Sequence, residues 1–223
     1  MTRLLRYVAL LTAFLVALPA LHAVAQDSTE ESIFDNPALL EGIQYGVSRE
    51  WATTMDLSTP PAEGEPVVFF VAGVVFEFDD DDHSGDAFRQ LRDELTSYIS
   101  DEFGLSPDEF TTEEQGDDEF VAHGLIEQGD DSAYFRYVIK EDDGFVFVTA
   151  SATTDESSSG IADDLAGYME DQDDDMTGLG EFNEDGTSTG GLWGFFPADD
   201  HELVADLSVA GDDIVYPEQE DES

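Results

Sequence analysis

The chain has 223 residues, no cysteine, and seven Lys+Arg against 54 Asp+Glu, a formal charge of −47. Without cysteine there can be no disulfide scaffold, thiolate metal site or cysteine nucleophile, and so few cations disfavour direct binding to nucleic acid or to an anionic membrane. A hydrophobic content of 41% argues against a wholly disordered acidic tail, and about 200 residues suit one domain with a real core.

Residues 1–25 differ from the rest. Arg3 and Arg6 give a positive start, residues 7–21 are apolar apart from Thr12 and Pro19, and Ala23-Val24-Ala25 precedes Gln26 and Asp27. This is the pattern of a secretory signal peptide cleaved after Ala25. The apolar run is short of the roughly 20 residues a spanning helix needs. The expected location is therefore secreted or extracytoplasmic, with no membrane insertion after cleavage.

The acids lie along the whole remaining chain, with five basic residues and Lys140 the only lysine. Spread over the roughly 9,000 Å² expected of such a domain, the net charges would sit about 14 Å apart, beyond the screening length of about 8 Å at physiological salt. The runs are denser: 79–82, 173–175 and pairs such as Asp117-Asp118 and Asp212-Asp213 are screened well only by molar salt. A solvated surface adapted to high salt is the leading reading. An acidic exported protein without a salt requirement and a surface that binds cations or a basic partner are its rivals.

In chain order, residues 26–66 read as a weakly ordered segment. Asn36-Pro37 starts a short helix through Gln44, and a Pro/Gly-rich linker follows at 58–66. Residues 67–78, VVFFVAGVVFEF, form a buried strand bent at Gly73. Ser84 then caps a helix to about Ser100, with Phe88, Leu91, Leu95 and Ile99 on one face. Ser106-Pro107-Asp108-Glu109 is a capping-box pattern that predicts a helical turn from Pro107.

Three strands follow at 120–127, 133–140 and 145–152, separated by Gly129-Asp130-Asp131 and Asp142-Asp143-Gly144. Such short connections make an antiparallel meander. A second helix spans 160–170, with Ile161, Leu165 and Tyr168 on one face. Residues 171–191 read as an acidic loop, 192–196, 203–209 and 214–216 as strands, and 217–223 as an acidic tail.

The predicted fold is α+β: one antiparallel sheet in the order β-α-β-β-β-α-β-β, with both helices packed on one face. It forms a single domain over 67–216. Its predicted core is Val68, Phe70, Val75, Phe88, Leu91, Leu95, Ile99, Val121, Phe135, Tyr137, Phe147, Ile161 and Leu165.

Chemistry-bearing motifs are few. After residue 25, His83, His123 and His201 lie in different segments, and His201-Glu202 lacks the second histidine of the zinc-protease pattern. Gly46-Val47-Ser48-Arg49-Glu50 lacks the second glycine of a nucleophile elbow. Trp193, Phe195 and Phe196 are expected in the core or an edge strand more than in a ligand platform.

The spacing Asp173-x-Asp175-x-Thr177-Gly178, with Glu181 and Glu184, follows an EF-hand calcium loop. In it Asp173, Asp175, Thr177, Glu181 and Glu184 offer side-chain oxygens and Leu179 a carbonyl. Position 8 is Gly180, and the residues after Glu184 do not favour an exit helix. A solvated loop is the preferred reading, with calcium the one cofactor the spacing admits.

The expectation is an exported, soluble, non-enzymatic domain adapted to a saline exterior that acts by binding a ligand or protein partner the sequence does not name. Its alternatives are a calcium-stabilised surface or adhesion protein, and a hydrolase built from scattered His and carboxylates.

Overall fold

The computed structural model describes residues 41–53, 68–114, 116–128, 131–172, 176–182 and 188–215. The signal peptide, the helix start at Asn36-Pro37, the 58–66 linker and the acidic tail lie outside these. The described elements are β1 (Ile43–Ala52), β2 (Val68–Phe78), α1 (Asp81–Phe103), β3 (Phe110–Glu114), β4 (Glu119–Gln128), β5 (Asp131–Asp142), β6 (Phe145–Thr153), α2 (Ile161–Glu170), β7 (Glu181–Phe182), β8 (Ser188–Thr189) and β9 (Ser208–Val215). Seven strands pair in the order β3-β4-β5-β6-β2-β1-β9, and β7 and β8 form a separate two-stranded ribbon. Every pairing is antiparallel. The fold is the α+β arrangement that the sequence predicts.

The helices, however, take opposite faces of the sheet. α1 sets Phe88, Leu91, Leu95 and Ile99 against Phe70, Ala72, Val74 and Phe76 of β2. α2 sets Leu165 and Met169 against Val71, Val75 and Phe147, and its Ala162 and Ala166 against Val121 and Val138. The physical reason lies in the central strands. All nine residues of β6 are buried, as is β2 from Phe70 onward. A strand buried on both faces reads as a continuous apolar run, not an alternating one, so 67–78 was a signal for two covering layers.

Gly73 is not a bend. Pairing continues through it on both sides, and a Cβ there would stand 3.0 Å from Phe196 and 3.3 Å from Leu165. It lets the α2 layer approach the sheet. Of the predicted core, Ile161 is only partly buried and the Val68 side chain lies outside the described residues; the others are buried.

Other boundaries also differ from expectation. The weakly ordered reading of 26–66 fails at 43–52, where β1 sits between β2 and β9. Arg49 and Glu50 break its apolar pattern, yet both are buried. The α1 N-cap is Asp80, one turn before Ser84, and its carboxylate accepts from the His83 N–H. Asp81 and Asp82 then meet the positive end of the helix. The helix runs past Ser100 to stop at Gly104 in the left-handed region. The capping-box bond forms, Ser106 N–H donating to Glu109 Oε2 at 2.8 Å, but only one turn results before β3 begins. Residues 191–195 form a 3₁₀ turn led by Gly190 and Gly191 at positive φ, and the last two predicted strands merge into β9 after a run of turns.

Candidate functional site

All five basic residues after residue 25 are engaged with acids. On the exposed side of α1, Arg89 pairs with Asp86, and Arg92 with Asp93 at 3.0 Å and Glu114 at 3.7 Å. The other three lie on the α2 face. Arg136 of β5 grips Asp163 in the first turn of α2 through both Nε and an Nη. Lys140, four residues further along β5 on the same face, bridges Glu119 at 3.1 Å and Glu170 at the end of α2. Arg49 of β1 holds Asp212 of β9 in a two-pronged contact at 2.8 and 3.1 Å, with its guanidinium 5.9 Å from the Trp193 ring. Burial lowers the Lys140 ammonium, but the two carboxylates outweigh it, and its pKa is raised.

Polar residues of β6 on this face fix the approach to α2. Thr149 donates to the Ala162 carbonyl, Ser151 to that of Ser159, and Thr153 to that of Asp155, at 2.7 to 2.8 Å. All three side chains are buried, so each hydroxyl satisfies a carbonyl that water cannot easily reach.

Beside the start of α2, a groove of about 610 Å³ opens on the sheet. Of its lining, Thr111, His123 and Arg136 are successive cross-strand partners. Asp108, Glu109, Tyr134 and Glu156 also line it. His123 Nε2 lies 3.6 Å from Glu113. Glu109 is held below the ordinary carboxylate range by its bonds from Ser106.

At the start of α1 the 79–82 acid run is organised. His83 Nδ1 lies 2.6 Å from Asp79 Oδ1 and 3.3 Å from Asp80 Oδ1, and Nε2 lies 4.0 Å from Glu41. The Asp79 bond is the main reason the His83 pKa is raised. Asp79, Asp80 and His83 offer three ligand atoms within 4.8 Å of one another, which gives them the spacing to hold a metal ion. The same contacts are those of a charged imidazole and a helix cap. Read from the sequence, this run is solvated acid whose negative charge favours the protonated form of His83; the four-residue spacing of Asp79 and His83 is the signal for the contact itself.

The three histidines stand in separate surroundings. His83 opens α1, His123 sits within β4, and His201 packs edge-on against Tyr168 of α2 at 4.9 Å. Of the calcium-loop residues, Asp173, Asp175 and Glu184 lie outside the described residues. Thr177 and Glu181 are exposed and Leu179 packs against the α2-side core. Gly178 has the positive φ expected of the loop's sixth position. Its N–H donates to Glu77 at 2.7 Å, and its carbonyl accepts from Leu192, so this loop is tied to the end of β2. Trp193, Phe195 and Phe196 are buried in that same core.

No protein-family model matches the chain, and a search of curated proteins finds no match.

Proposed function

We propose that this is an exported, soluble, highly acidic domain that acts by binding, with a surface adapted to a saline exterior. One observation carries the reading: all five cations outside the N-terminal segment are consumed in ion pairs, most tying elements together. Against 54 acids, this leaves most carboxylates to be neutralised by mobile counter-ions, and concentrated salt supplies those. The Arg3/Arg6 start, the apolar run and Ala23-Val24-Ala25 support export. Among the described residues no helix is long and apolar enough to cross a membrane. The separate surroundings of the three histidines support binding over hydrolysis.

Thermal melting of the mature chain across a salt series tests the surface reading. The midpoint should climb with NaCl, and KCl should match it at equal ionic strength. A midpoint indifferent to salt would overturn that reading. N-terminal sequencing of the native protein tests export; the first residue should be Gln26, and retention of Met1 would refute it.

A further inference from the structure

We draw no further inference here: the strongest candidate, the side-chain cluster of Asp79, Asp80 and His83 at the start of α1, carries nothing, because it belongs to a run of acidic residues, its contacts are those of a charged imidazole and a helix cap, and no second observation at it points to a ligand.

Discussion

His83 joins three pieces of chain: Glu41 ahead of β1, Asp79 at the exit of β2, and the N-cap Asp80 of α1. Its raised pKa means that the folded state holds the proton more tightly than the unfolded chain does. The stabilisation is then complete below the ordinary histidine value of 6.5 and is lost as pH rises through the higher folded value. Replacing His83 by Gln should flatten the fall in melting temperature as pH rises above 6.5; parallel curves for variant and wild type would show that the contact contributes nothing. Arg49 and Asp212 are a different case, because their side chains are only 9% and 6% exposed. Asp212→Ala would take the two-pronged partner from a nearly buried guanidinium and leave it the exposed Asp199 at 4.0 Å, and urea unfolding should show a loss of about 3 kcal/mol. Arg49→Met with Asp212→Leu should recover much of that, since neither charge is then left alone. The sequence displayed Arg49 and Asp212 openly, but their pairing spans 163 positions, and no local pattern encodes a contact of that range.

At the level of elements, α1 was legible because its apolar residues repeat with the helical period and all face one sheet surface. Leu91 and Leu95 are 3% and 0% exposed, and truncation of either to Ala should cost about 2–5 kcal/mol, measured by chemical unfolding. Asp93→Ala on the outer face should stay within about 0.5 kcal/mol. β5 and β6 were legible because short Asp/Gly turns separate β-branched and aromatic runs. β1 was not, because its buried charges imitate a polar segment until β9 supplies a partner 160 residues later. The side taken by α2 was hidden for a related reason. Leu165 and Met169 show an apolar face but not which side of the sheet it meets, and the rest of the contact is made by Ala162 and Ala166, small residues that carry little hydrophobic signal, and by Thr149 and Ser151, whose hydroxyls look solvent-facing until the 159–162 carbonyls come down on them. Gly73 marks the same seam. Gly73→Ala should overpack it against Phe196 and Leu165 and destabilise by about 1–3 kcal/mol, whereas an unchanged stability would mean that the layer is free to retreat.

Across the whole molecule, composition announced the acidity but not the use made of the few cations. Three of the five clamp the α2 face: Arg136 and Lys140 pin the two ends of α2 to β5, and Arg49 pins β9 to β1. This arrangement has a consequence for salt. Dissolved ions screen attraction and repulsion alike, so a fold held mainly by exposed ion pairs would weaken as salt rises. Here Arg49 and Asp212 are nearly buried, and Lys140 is only 16% exposed, so the clamps are shielded from screening far better than the exposed acid runs that repel one another. The screening length falls from about 10 Å to about 3 Å between 0.1 and 1 M salt, which reaches the spacing of neighbouring aspartates while leaving the buried pairs largely intact. Stability should therefore rise monotonically from about 0.1 to 2 M NaCl, and Arg89→Gln, which breaks an exposed pair on α1, should leave the slope unchanged. Removal of the partly buried Arg136 clamp by Arg136→Gln should lower the whole curve with little change of slope, because it adds one negative charge to a chain whose net charge is already −47. A melting curve that instead passed through a maximum and fell at molar salt would place the exposed ion pairs, not acid repulsion, in control of the fold.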